Sequence, residues 1–227
     1  MKKILLPSCF LFVLMASASA QLITNGSFES NPIGTAVGYS TPGGGVDTFT
    51  FTDWRFYNVT AGPVAIGGQI ISNATAGTNA FRFDVNNTTG EVAYALDRDN
   101  NRIAAVFGTT YNFSFDAAWI GGSGTFLGGY IAEHDSLGNF NGSQTALSFT
   151  ISDTAYHTFG ISNYTPLNPT TTHINIGFSL MQGQVGNAAI SLDNVQFGVV
   201  PEPGTLSLVA ASGLAALVWF RRRSKSA

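Results

Sequence analysis

The sequence predicts an all-β protein, a two-sheet sandwich of jelly-roll type. Three observations carry that expectation. Gly, Thr, Asn and Ser abound and aromatics make up 12% of the chain, while strong helix formers are scarce between its two ends. Short runs of alternating apolar and polar residues recur between turn clusters. No repeat of constant period is evident, which argues against a β-helix or a propeller.

Taken in order, the candidate strands are Thr48–Asn58, Val64–Ser72, Ala80–Val85, Glu91–Leu96, Arg102–Val106, Tyr111–Ile120, Tyr130–His134, Thr145–Ser152, Tyr156–Ile161, His173–Met181 and Ala188–Gly198. Pro42-Gly43-Gly44-Gly45, Asn86–Gly90, Gly121–Gly124 and Leu167-Asn168-Pro169 punctuate them. Roughly ten strands without a central helix suit two packed sheets. In Tyr111–Trp119 the alternation turns Phe113, Phe115 and Trp119 toward the core. Phe49 and Phe51 share one phase and Trp54 and Phe56 the other, so a bulge or bend is expected near Thr52-Asp53.

The two ends read differently. Residues 1–20 have the layout of a secretory signal: Lys2 and Lys3, an apolar stretch from Ile4 to Met15, then Ala18-Ser19-Ala20 as the cleavage site. The single cysteine, Cys9, falls inside that segment, so the mature chain has none and a disulfide-free domain must rest on its core or on a metal. At the other end, Thr205 to Phe220 runs sixteen residues without a charge. As a helix that is about 24 Å, short of the roughly 30 Å of hydrocarbon but coverable by snorkelling or thinning. Arg221, Arg222 and Arg223 form the basic end (221–227) that stays cytoplasmic. Two prolines before the helix, in Val200-Pro201-Glu202-Pro203-Gly204, hold that stretch extended.

Motif, spacing, apolar helix and basic end together resemble the PEP-CTERM sorting signal of Gram-negative bacteria, over residues 200–227. The resemblance implies an exosortase as processing partner, a transient inner-membrane anchor, and delivery to the cell surface or extracellular matrix.

Between the ends, residues 21–199 are long enough for one domain. Every lysine lies outside them, and four arginines face twelve acids, for a formal net charge of −8. Such a surface excludes nucleic acid and repels anionic lipid. It tolerates divalent cations.

Asn25-Gly26-Ser27-Phe28-Glu29, with Trp54 following, and Ala189–Val195 near the end of the domain resemble the first and last strands of jelly-roll carbohydrate-binding modules, sandwiches of the galactose-binding-like kind. That resemblance implies a structural calcium between the chain ends, held by the carboxylates of Glu29 and Asp193 with main-chain oxygens near Gly26. Hard-cation chemistry suits oxygens of this kind. The plain alternative is that both acids cap turns. The resemblance also implies polysaccharide binding, which needs exposed aromatic faces beside polar groups. Tyr57, Tyr94 and Tyr130 are the candidate platforms, and Arg55 shares a face with Tyr57.

No catalytic residues stand out. Asp97, Asp99 and Asn101 alternate like the start of a calcium loop, but Arg102 replaces its glycine and Gly108 its glutamate, so a solvated hairpin turn is expected. Glu133-His134-Asp135 reads as a strand running into a turn, since His134, His157 and His173 lie at no metal-ligand spacing. The expectation is a non-enzymatic, exported sandwich associated with extracellular polysaccharide; the alternative is a purely structural surface or biofilm protein with no glycan ligand, and a glycan-active enzyme ranks last because no paired carboxylates stand out.

Overall fold

Period-two alternation of large apolar residues gives each strand one face to bury, and two such sheets bury them against each other. The computed structural model describes residues 21–40, 48–57, 64–87, 93–98, 101–122, 126–180 and 186–201. The expected signal peptide (1–20), Glu202 to Gly204, the membrane helix 205–220 and Arg221 to Arg223 lie outside these residues.

The strands are β1 (Ala36–Ser40), β2 (Thr48–Phe51), β3 (Trp54–Tyr57), β4 (Val64–Ile71), β5 (Ala80–Asn87), β6 (Ala93–Asp97), β7 (Ile103–Ala104), β8 (Tyr111–Gly122), β9 (Phe126–His134), β10 (Phe140–Thr150), β11 (His157–Tyr164), β12 (His173–Leu180) and β13 (Gly186–Val199). One sheet has the order β1-β4-β5-β13-β8-β11, the other β10-β9-β12-β6-β3-β2, with β7 paired to β12. The architecture is the all-β, two-sheet antiparallel sandwich that the sequence predicts, and no helix stands among the described residues.

The core lies between the sheets. Phe81, Phe83, Phe113, Phe115, Leu192 and Phe197 come from the first sheet, and Trp54, Phe56, Leu96, Ile131, Ile176 and Phe178 from the second. Phe115 meets Phe178 edge-on with ring centroids 5.0 Å apart, joining the two layers. Phe113 and Phe115 face the core as expected, while Trp119 is only partly buried against it. The phase change near Thr52-Asp53 is a hairpin turn rather than a bulge: Phe51 pairs with Trp54, and Asp53 takes a φ of 65°. A two-residue turn needs positive φ to follow the strand twist, and Asp tolerates it. β1 has no counterpart among the expected strands.

One end of the sandwich collects both termini of the domain. Gln21 bridges Gly198, Leu22 N–H donates to Phe197 O at 2.8 Å, and Val200 N–H donates to Thr110 O at 2.8 Å. The β9–β10 turn reaches the same end, since His134 pairs with His173 and Thr172 N–H donates to His134 O at 3.0 Å. The loop before β8 does too, because Ala105 N–H donates to Thr172 O at 3.0 Å.

Candidate functional site

The residues of the Asn25–Glu29 motif act as a lock between the first segment and both sheets. Asn25 (φ 49°) and Phe28 (φ 58°) both adopt left-handed backbone, strained for residues with a Cβ. Asn25 offsets it with its side chain: Oδ1 accepts from Ser30 N–H at 3.0 Å, and Nδ2 donates to Thr52 O at 2.8 Å. The turn drives Phe28 into the core, fully buried, with its ring 5.4 Å from Trp54 and 5.6 Å from Phe81. Gly26 O accepts from Val195 N–H at 2.9 Å, and a Cβ on Gly26 would overlap the Val195 carbonyl. Glycine is therefore required by close approach of two backbones.

Glu29 and Asp193 both grip the loop that joins β4 to β5. Glu29 Oε1 accepts from the N–H groups of Thr78 and Asn79, each at 2.7 Å, and Oε2 from the Thr78 hydroxyl at 2.9 Å. Asp193 Oδ2 accepts from Thr75 N–H at 2.6 Å and Ala76 N–H at 2.8 Å, and Oδ1 from Asn194 N–H at 2.6 Å. The Asn79 N–H, against the opposing effect of burial, and then the donors of Thr78 hold the Glu29 carboxyl below its ordinary range. For Asp193 burial dominates and pushes the carboxyl up, against the donors of Ala76, Thr75 and Asn194. Asp116, directly opposite Asp193 on β8, joins the cluster through the Thr75 hydroxyl at 2.8 Å and the Thr158 hydroxyl at 2.7 Å.

These residues do not fit the calcium that the resemblance implies. Calcium takes roughly six to eight oxygen ligands. Here amide hydrogens point at Glu29 and Asp193, and Gly26 O is spent on Val195. Among the described residues no group of three or more His, Cys, Asp or Glu is placed to hold a metal ion. In the described residues both acids cap turns, their carboxylates taken up by loop N–H groups.

The outer face of the seven-stranded sheet carries a second polar cluster. Asp97 is fully buried and receives Arg55 in two-pronged fashion, Nε at 3.0 Å and Nη2 at 2.7 Å. The Tyr130 hydroxyl donates to the same carboxylate at 3.0 Å, with the Asn175 amide 3.4 Å away. Arg55 retains an edge to solvent, its side chain 22% exposed. Arg55 thus holds the face expected of it. Tyr130 does not present an open platform: it is 7% exposed, and its ring lies close over Gly177. Alternation shows which face a residue takes but not what covers it. The side chains of Tyr57 and Tyr94 lie outside the described residues; along the backbone, Tyr57 follows Arg55 by two positions and Tyr94 sits opposite Ser179.

Of the segment expected as a solvated turn, Leu96 to Arg102, the described residues Leu96, Asp97 and Arg98 are buried, and Asn101 and Arg102 are partly so. Arg98 is 1% exposed, its guanidinium 4.9 Å from the Trp54 ring centroid. It donates to Thr24 O at 2.9 Å, and Asn101 donates to Asp53 at 2.7 Å. Burial lowers the Arg98 pKa to about 10, opposed by nearby Asp53, so the group stays charged at neutral pH. Its flat cation lies on an aromatic face and uses main-chain oxygen as partner, which lets a run of charges enter the interior.

Glu133 is a structural centre that its sequence context does not announce. It is fully buried, and Oε1 accepts from Tyr164 OH at 3.0 Å and Leu167 N–H at 2.8 Å. Oε2 accepts from Asn168 N–H at 3.0 Å and the Thr171 hydroxyl at 2.6 Å. Burial acts to raise its pKa, but the donors of Leu167, Thr171, Asn168 and Tyr164 outweigh it and hold the carboxyl below its ordinary value. Asp135 caps the β9–β10 turn, accepting from Leu137 and Asn139 N–H, both at 2.9 Å. The run Glu133-His134-Asp135 is thus a strand end entering a turn, as its sequence context suggests.

The fold defines a class, the jelly-roll-like β-sandwich, found in chains of varied activity. The chain aligns with an arabinose-bound α-L-arabinofuranosidase, MgGH51, at 13% identity and a TM-score of 0.51, covering 80% of this chain and 26% of that one. It aligns with a cyclase from Fischerella sp. TAU at 17% identity and a TM-score of 0.50, covering 81% and 98%. A family 11 carbohydrate-binding module of Clostridium thermocellum aligns at 15% identity and a TM-score of 0.49, over 72% and 98%. The tailspike protein 4 domain of bacteriophage CBA120 aligns at 19% identity and a TM-score of 0.50, over 79% and 21%, so this chain spans about a quarter or less of that structure and of the arabinofuranosidase. No curated protein matches the chain significantly. More particularly, residues 199–223 match the PEP-CTERM protein-sorting motif. The motif implies an exported protein processed by an exosortase.

Proposed function

We propose that the sandwich is a non-catalytic module that binds extracellular polysaccharide through the outer face of the seven-stranded sheet, after exosortase processing at the cell surface. The carrying observation is the Arg55–Asp97 pair with the Tyr130 hydroxyl and Asn175 amide around it. A guanidinium pairs with sugar hydroxyls, and Arg55 is the member of the cluster that reaches solvent, held in place by buried Asp97. The non-catalytic part rests on the buried carboxylates Asp97, Asp116, Glu133 and Asp193, each already occupied by donors. A glycan array of the full chain tests this. The expected result is binding to one polysaccharide class, lost in Arg55→Lys with the circular dichroism spectrum intact. No binding to any glycan would overturn it.

One observation favours a structural role. Among the described residues β10 and β11 are the outermost strands of the two sheets on one side, and Phe140–Thr150 and His157–Tyr164 contain no Asp, Glu, Lys or Arg. Edges normally carry charge or proline against pairing with other chains. On this reading the chain assembles edge to edge, and Ser148→Lys lowers the sedimentation coefficient at high protein concentration.

A further inference from the structure

Among the described residues, five of the six large exposed apolar side chains lie on or beside loops at one end of the sandwich, Ile33 standing apart beside the β4 end at Ile70. Leu137 is 84% exposed, Leu167 66% and Val106 62%, with Phe140 and Phe107 close to half exposed. Their loops adjoin. Leu167 N–H and Asn168 N–H hang from Glu133 one residue before the β9–β10 turn region, and Asn168 Nδ2 donates to Asn141 O at 3.0 Å. Arg102 donates to Gly138 O at 2.6 Å, Ala105 N–H to Thr172 O at 3.0 Å, and the Thr110 and Thr165 hydroxyls meet at 3.2 Å.

The loops that carry these side chains are poor in charge, with Arg102 beside Gly138 as the cation among them. Residues 104–110, 136–141 and 165–172 contain no Asp, Glu, Lys or Arg, in a domain of formal charge −8. Asp135 turns its carboxylate onto the N–H groups of its own turn. Exposed apolar side chains on adjoining loops, with Arg102 and Asp135 as the charges beside them, mark a contact surface.

The course of the chain identifies the partner. β13 ends at Val199, and Val200 N–H is bonded to Thr110 O in the loop that carries Val106 and Phe107. The chain continues into the sorting motif, and the uncharged run begins at Thr205, so five residues of at most about 17 Å separate the patch from it. We propose that this end of the sandwich seats on the lipid surface: Leu137, Leu167, Val106, Phe107 and Phe140 enter the headgroup boundary while the tail holds the chain at the membrane. The proposal rests on the reading of residues 205–220 as a membrane segment. Aliphatic and aromatic tips without acids suit that boundary, where carboxylates are repelled by anionic lipid.

The test uses the full chain in a Cys9→Ser background, reconstituted into vesicles of phosphatidylethanolamine and phosphatidylglycerol. Single cysteines at Leu137→Cys, Leu167→Cys and, as the distant control, Ser152→Cys carry an environment-sensitive fluorophore. The expected result is a blue shift and quenching by shallow spin-labelled lipid at 137 and 167, and neither at 152. With the tail resistant to carbonate extraction, labels at 137 and 167 that behave like 152 overturn the proposal. Labels shielded from aqueous iodide yet untouched by spin-labelled lipid show a protein contact and overturn it as well. A tail that carbonate extracts removes the membrane reading of residues 205–220, and with it the proposal.

Discussion

Replacing Glu133 by Gln isolates what the buried carboxylate does. Four donors converge on it, two per oxygen, at 2.6 to 3.0 Å. The amide keeps one acceptor and turns an N–H₂ toward the other pair. If it keeps Tyr164 and Leu167, the Thr171 hydroxyl can rotate to accept, but Asn168 N–H loses its partner. An orphaned buried N–H costs about 1–3 kcal/mol, and hydrogen bonds to a charged group are about twice as strong as neutral ones. A loss of about 3 kcal/mol follows, which for a domain of this size lowers Tm by about 6–12 °C. Thermal unfolding followed by circular dichroism at neutral pH measures it. The folded carboxyl is held below its ordinary value. Its contribution is therefore full above the unfolded carboxylate range and is lost as pH falls through the lowered folded value. The gap between wild type and Glu133→Gln should narrow on acidification. A loss under about 1 kcal/mol at neutral pH, or a gap that widens in acid, would refute this account.

Two further substitutions probe the lock between the chain ends. Gly26→Ala places a methyl against the Val195 carbonyl; backbone must shift, and a loss of about 2–3 kcal/mol in urea unfolding is expected. Glu29→Gln weakens the hold on Thr78 and Asn79 and should lower the urea midpoint by the equivalent of about 1 kcal/mol, its group being exposed. Addition of a calcium chelator should leave Tm of the wild type unchanged; a fall would show that loop N–H groups are not what holds these carboxylates.

Most strands are legible because each buries one face, which stamps period two on Phe, Ile and Val. β1 escapes since Ala36–Ser40 is small and polar apart from its tyrosine and valine, with no alternation of bulk. The Asn25–Glu29 motif and Asp193 are visible in sequence, but their partner is not. The loop containing Thr75, Ala76, Thr78 and Asn79 offers main-chain N–H groups, which every residue but proline has, so no side-chain pattern announces it. Arg98 is hidden from the sequence for a different reason. A run of charges reads as solvated unless the folded chain supplies an aromatic face and a carbonyl, here Trp54 and Thr24, 44 and 74 residues away in sequence. Tyr130 shows the same limit from the other side, its outward phase legible and its burial not.

β13 has a mechanical meaning. It is the longest strand, with 14 residues, and lies inside its sheet with β5 on one flank and β8 on the other. Tension applied at residue 200 runs along the axis of this strand. The ladders on both flanks then bear the load together in shear, rather than opening one bond at a time as in a peeled hairpin. A chain held by that end meets flow and traction with a strand laddered on both flanks.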